Sequence, residues 1–139
     1  MTSQRSGARS TFLLLALLVG TLAGCGGGAS SNGAPSDCLT VKPGVDGTSK
    51  LTVIGKNLAF DVTCVNVQPG PLKVTFENKD SGVAHDFHVT GTAVNQRTDL
   101  AAGVTTQVLE VVLTGPGTYT FACDPHATME GQIHVAAKG

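Results

Sequence analysis

Tryptophan is absent from this sequence, tyrosine occurs once, phenylalanine five times and methionine twice in 139 residues. So few bulky side chains, set against 18 glycines, argue against a helical domain and for short strands joined by many turns. A basic excess is also missing: 9 Lys and Arg stand against 10 Asp and Glu, for a net charge of -1. Without Arg5 and Arg9 of the N-terminus, seven basic residues face ten acidic ones, about -3, which excludes a nucleic-acid partner read by charge. No apolar run is long enough to span a membrane as a helix, the run from Phe12 to Leu22 included. The length leaves room for one small core and no second domain.

What is present begins with an address. Residues 1–24 carry two arginines, the apolar run and then small residues, the three-part pattern of a signal peptide. They end in Leu22-Ala23-Gly24 before Cys25, which resembles the bacterial lipobox and implies cleavage before Cys25 and a lipid on its sulfur. No twin arginine is present, so general secretion is expected. From Cys25 through Asp37 the chain is a Gly/Ser-rich tether of about 20 Å r.m.s. reach. Residues 38–139 then form the expected domain, at the cell envelope, on the periplasmic or extracellular face of a membrane.

Export makes the cysteine count informative, because thiols then meet an oxidising compartment. With Cys25 assigned to lipid, Cys38, Cys64 and Cys123 remain. Pairing Cys38 with Cys64 closes a loop of about 26 residues and would stabilise the fold by roughly 3.5 kcal/mol. The sequence leaves other pairings open. In this pairing Cys123 is a free thiol, which calls for burial or a metal.

Alternation of side chains sets the strands. Leu72, Val74 and Phe76 share one face, as do Leu109, Val111 and Leu113, and Tyr119, Phe121 and Cys123 after the Gly-Pro-Gly turn. Ile133 and Val135 turn inward and His134 outward. In Val83-Ala-His-Asp-Phe-His-Val89, parity puts His85 with Val83, Phe87 and Val89, and turns Asp86, His88 and Thr90 to the other face. Thr92–Leu100 is the one segment with a short irregular helix as an expectation. Strands at this spacing predict an all-β sandwich or barrel.

Inward Cys123 is followed by His126 and Met129 in CDPHATM, with His85 arriving from another strand. Thiolate and thioether are soft ligands, and two imidazoles, one thiolate and a weak axial Met describe a blue-copper electron-transfer site. Each residue taken singly has a plainer use, as a core thiol, a loop histidine or a core filler. His88 and His134 read as solvated strand residues.

At this point the chain resembles the cupredoxins, the plastocyanin- and amicyanin-like blue copper proteins. The resemblance is carried at the front by Phe60, Val67, Gly70, Val74, Phe76, Asn78 and Asp80 before His85. At the back it is carried by Gly117, Tyr119, Phe121, Cys123, Pro125 and His126. It implies a Greek-key β-sandwich and one type 1 copper per domain, with His85, Cys123 and His126 as equatorial ligands and Met129 as the axial one. The Cys-x2-His-x2-Met spacing is the short, amicyanin-like one. Asp86 departs from the asparagine that braces the ligand loop in the family, and Asp124 stands where a small hydroxyl residue is frequent. Two carboxylates so close to the metal would favour its oxidised state if both are ionised.

The resulting expectation is a monomeric, lipid-anchored carrier of single electrons between redox partners such as a cytochrome or an oxidase, and not an enzyme. Four His and one available Cys cannot build the further copper sites of multicopper enzymes, and CDPHATM lacks the second Cys of a binuclear centre. The alternative is a module for storage, delivery or sensing of copper. Two methionines in the whole chain argue against a Met-rich release site. Pro125 and Ala127, beside His126, are the expected contact edge for a redox partner.

Overall fold

The computed structural model describes residues 35–137, so the 1–24 leader, Cys25 and most of the 25–37 tether lie outside the described residues. Within them the chain forms β1 (Leu39–Thr40), β2 (Ser49–Lys56), β3 (Ala59–Phe60), β4 (Cys64–Val67), β5 (Gly70–Asn78) and β6 (Ala84–His85). There follow β7 (His88–Gly91), β8 (Val94–Arg97), β9 (Ala101–Ala102), β10 (Thr105–Leu113), β11 (Gly117–Ala122) and β12 (Glu130–Val135). No helix occurs among the described residues. One sheet has the order β1-β4-β12-β11-β7-β8, a second β10-β5-β2-β3, and β6 pairs with β9 in a small third. Both larger sheets are mixed: β4 runs parallel to β1 and β12, and β2 parallel to β5.

The period-2 alternation explains why these two sheets form a sandwich. Leu72, Val74 and Phe76 of β5, Leu51 and Val53 of β2, and Leu109, Val111 and Leu113 of β10 are buried from one side. Val65 and Val67, Tyr119 and Phe121, Ile133 and Val135, and Val89 are buried from the other. The all-β sandwich expected from alternation is the architecture observed. Phe60, Phe76, Phe87 and Phe121 meet with ring centroids 5.0–6.0 Å apart. Four rings in one cluster compensate for the scarcity of aromatics, each burial contributing about 1.5–3 kcal/mol.

Two expectations are corrected. Thr92–Leu100 holds no helix; it contains β8, which pairs antiparallel with β7 and sets only Val94 into the core. One buried apolar side chain gives no stripe for a helix to bury, and the ladder to β7 wins. Asp86, assigned by parity to the wet face, is 2% exposed. Strand geometry lapses between β6 and β7, so alternation does not run through Asp86.

One glycine is required by close approach. A Cβ on Gly131 would fall on the Phe121 ring and 2.6 Å from the carbonyl oxygen of Thr63. Its absence lets β12 leave the loop after Met129 and pass directly over Phe121 into register with β11 and β4.

Cys38 and Cys64 are joined by a disulfide. It ties the residue before β1 to the first residue of β4, so the short parallel pair begins at a covalent link. His134 lies beside these sulfurs and bonds to Thr118, but sulfurs joined to each other offer no thiolate to a metal.

Candidate metal centre

The site is built at the mouth of β11. Its last inward residue is Cys123, one past Ala122, and the chain then turns twice in a compact loop. His126 N–H donates to the Cys123 carbonyl at 3.1 Å and Met129 N–H to the His126 carbonyl at 2.9 Å. Cys123 N–H in turn donates to the Met129 carbonyl at 2.9 Å, closing the loop on itself. His85 comes from β6, which is held by β9 through the pairing of His85 with Ala101. The four residues are thus delivered by two separate parts of the fold, each fixed by backbone hydrogen bonds.

The two imidazoles and the thiol converge. Cys123 Sγ lies 3.5 Å from His85 Nδ1 and 3.3 Å from His126 Nδ1. The two imidazole centroids are 4.7 Å apart. His85, Cys123 and Met129 are fully buried, and His126 is half-buried between exposed Pro125 and Ala127. Met129, locked by both of its backbone bonds, is the one loop side chain besides Cys123 that enters the core. Burial pushes the Cys123 thiol up to about 11, so without a metal it is protonated at neutral pH and shielded from reagents.

The surroundings hold these donors in place. Asp86 Oδ1 accepts the Asp124 N–H at 2.8 Å, so an acceptor-only side chain still braces the ligand loop, from the residue after His85 to the residue after Cys123. Asn78, fully buried, donates to the carbonyls of Val83 at 2.9 Å and Ala101 at 3.2 Å, pinning both approaches to His85. Its Oδ1 accepts the Asp80 N–H at 2.9 Å. Asp80 Oδ2 lies 2.9 Å from His85 Nε2. Asn78 and Asp80 were legible only as part of a family resemblance; nothing in their spacing says what they bond.

Asp124 is not a bare charge beside Cys123. Arg97 Nη1 donates to its Oδ2 at 2.6 Å, and His88 Nδ1 lies 2.7 Å from its Oδ1. The other His88 nitrogen lies 2.7 Å from Asn95 Oδ1, so oxygen acceptors face both sides of the ring and favour the doubly protonated imidazolium. His88 is therefore a bonded member of a surface network and not a solvated strand residue. Hydrogen bonding to Asp124 and then Asn95 raises its pKa above the ordinary 6.5. Hydrogen bonding to His88, with Arg97 added, holds Asp124 below the ordinary 3.8.

The signs set a window. A raised His88 contributes stability below 6.5 that is lost as pH climbs through its folded value. A lowered Asp124 contributes stability above 3.8 that is lost as pH falls through its folded value. Between those limits the pair contributes in full. Asp124→Asn is expected to return the His88 pKa toward 6.5 in an NMR titration of the imidazole protons. An unmoved titration midpoint would show that Asn95 alone sets it.

The donor set of two imidazoles, one thiol able to become a thiolate and one thioether fits a single type 1 copper ion and suits no hard, oxygen-seeking cation. Residues 15–135 match the cupredoxin-like domain family. The chain belongs to that family. No curated protein matches it in sequence. Among solved structures the cupredoxin fold here is similar to auracyanin A, a "blue" copper protein from Chloroflexus aurantiacus. That likeness has 24% identity and a TM-score of 0.54, over 64% of this chain and 99% of the other. Rusticyanin from Thiobacillus ferrooxidans is similar at 19% identity and a TM-score of 0.56, over 73% of this chain and 85% of the other. The Cu-containing nitrite reductase of Thermus scotoductus is similar at 21% identity and a TM-score of 0.53, but over 28% of the enzyme's length. At these identities the likeness is one of fold, and the cupredoxin chain here corresponds to a minor part of the reductase.

Proposed function

We propose that this cupredoxin carries single electrons between redox partners, through one type 1 copper held by His85 Nδ1, Cys123 Sγ, His126 Nδ1 and the Met129 thioether. Copper in such a site supplies a one-electron couple, Cu(II)/Cu(I). The observation that carries the proposal is the buried Cys123 sulfur with an imidazole Nδ1 on either side, at 3.5 and 3.3 Å.

The chain's own residues suit transfer better than turnover. His85, Cys123 and Met129 are buried, which keeps three of the four donors out of water. Backbone bonds fix Cys123, His126 and Met129 to one another, and Asp86 fixes the loop to the His85 strand, so a change of charge at the centre need move little. Half-buried His126, flanked by exposed Pro125 and Ala127, is the edge through which an electron would enter or leave. Leu100, an exposed apolar side chain just before β9, lines the same cleft as Pro125.

Location belongs to the same proposal. A lipid on Cys25 would tether the domain to a membrane face of the cell envelope, where a cytochrome or an oxidase of matching surface is the expected partner class. Storage or delivery of copper is the second reading. Burial of the donors counts against it, since release from a closed site is slow.

The test is spectroscopic. The soluble domain from residue 26 onward, titrated with Cu(II), is expected to take up one equivalent and develop an intense visible thiolate-to-copper band with narrow copper hyperfine splitting. Reduction should bleach the band and reoxidation restore it through many cycles. A pale spectrum of ordinary Cu(II), or loss of the metal on reduction, would sink electron carriage and favour delivery.

A further inference from the structure

The carboxylate behind His85 has a geometry that bracing alone does not explain. Asp80 is nearly buried, with 12% of its side chain exposed, and faces three donors. Its Oδ1 accepts the Asn57 N–H at 2.8 Å; its Oδ2 accepts the Leu58 N–H at 3.3 Å and lies 2.9 Å from His85 Nε2. Asn57 and Leu58 are the two residues of the turn joining β2 to β3, and both are left-handed, with φ of 54° and 57°. Such a two-residue turn matches the twist of the strands it joins, but a leucine there is unfavourable without support. Asp80 supplies that support from 22 residues away, and the turn in turn fixes the carboxylate.

The chemistry of the contact is one-directional. A carboxylate accepts and does not donate, so the 2.9 Å approach requires the proton on Nε2 of His85. In the neutral ring the Nδ1 lone pair is then free, and Nδ1 is the atom that faces Cys123 Sγ. Two backbone N–H groups and the His85 ring converge on the two oxygens of Asp80, an all-donor environment that suits the ionised carboxylate. Unlike Asp124, which Arg97 and His88 neutralise, Asp80 has no Lys or Arg partner within ion-pair distance among the described residues. Its charge is directed at the imidazole.

We propose that Asp80 is a positioning residue for the metal centre: it fixes His85 in the Nε2–H tautomer and places behind that ring a negative charge that favours the more highly charged state of the bound ion. The second half rests on the copper reading; the first does not. Partners of this kind behind ligand histidines orient the ring and raise its basicity, and their loss costs about 10–100-fold in metal affinity.

The experiment has two arms. In the metal-free protein, long-range 15N–1H NMR of the imidazoles is expected to show a proton on His85 Nε2. A ring that carries its proton on Nδ1 and none on Nε2 overturns the proposal, and needs no variant to be seen. In the copper-loaded protein, Asp80→Asn removes the charge with little change of shape. Competition with chelators is expected to show about 10-fold or greater loss of Cu(II) affinity, a smaller loss of Cu(I) affinity and therefore a more positive reduction potential. If Asp80 only supports the 57–58 turn, the variant unfolds at a lower temperature while the ratio of the two affinities stays unchanged, and the electrostatic half is overturned. Should the wild-type protein bind no copper through Cys123, the copper reading fails by itself, and the tautomer measurement still decides what Asp80 does.

Discussion

Cys123→Ser is expected to abolish the intense visible band of the copper-loaded domain and to weaken copper binding by more than about 100-fold. The bound follows from chemistry: loss of a mere outer partner costs about 10–100-fold, and here the soft donor itself is replaced by a hydroxyl. The fold should survive. Cys123 sits between two ring nitrogens, and a serine hydroxyl at the same place can hydrogen-bond to either of them. Its backbone bonds to His126 and Met129 do not involve the side chain. Circular dichroism of the metal-free variant should therefore match the parent, while optical and EPR spectra with Cu(II) should be those of an ordinary pale complex held by imidazoles. A variant that keeps the intense band would mean that the band does not come from Cys123, and electron carriage through this centre would be abandoned.

The second large effect is on stability. Replacing Cys38 and Cys64 by alanine together should lower the unfolding free energy by about 3.5 kcal/mol, the chain-entropy value for the 26-residue separation between them. A domain of this size has only about 5–15 kcal/mol in total, so a large share is at stake. The structure gives the loss a location. β1 is two residues long, both exposed, and its pairing with β4 is the parallel ladder at the edge of the six-stranded sheet. Without the covalent link Leu39 and Thr40 are held against Val65 and Asn66 by backbone pairing, by the Val41 N–H bond to the Asn66 carbonyl and by the Asn66 side-chain bond to the Pro35 carbonyl. Urea unfolding followed by circular dichroism should show a midpoint lower by more than about 1 M, taking a slope of about 1–3 kcal/mol/M. A shift below a few tenths of a molar would mean that the ladder holds without the bridge.

How far the fold could be read from the residues depended on how local the cause was. β5, β10, β11 and β12 are regular enough that parity alone assigned their buried faces, down to Leu72, Leu109, Phe121 and Ile133. The same counting put His85 and Cys123 inward, and both are buried. It failed at Asp86, because parity needs an unbroken strand and the chain breaks step there to reach Asp124, 38 residues on. It turned His88 outward but was silent about its partner Asp124, 36 residues away, and about Asp80, whose backbone donors lie 23 and 22 residues before it. Charges seen as a list gave Asp124 the role of a bare carboxylate near the metal. Only the pairing of β7 with β8 and β11 shows that Arg97 and His88 meet it first. Sequence parity reports which side of a sheet a residue takes, and not which residue from another strand answers it.

The strand order has a consequence for how the molecule comes into being. The last strand, β12, lies between β4 and β11 in the six-stranded sheet. Before residues 130–135 arrive, that sheet is two pieces, β1-β4 and β11-β7-β8, with a gap where the centre belongs. A chain made from its N-terminus therefore cannot close this sheet until residues 130–135 are available. Gln132 takes part in both the parallel ladder to Cys64 and the antiparallel one to Thr120, so one strand joins the two pieces. Met129, one residue ahead of β12, bonds to Cys123 through its carbonyl, so the burial of the Cys123 thiol is coupled to the seating of that strand.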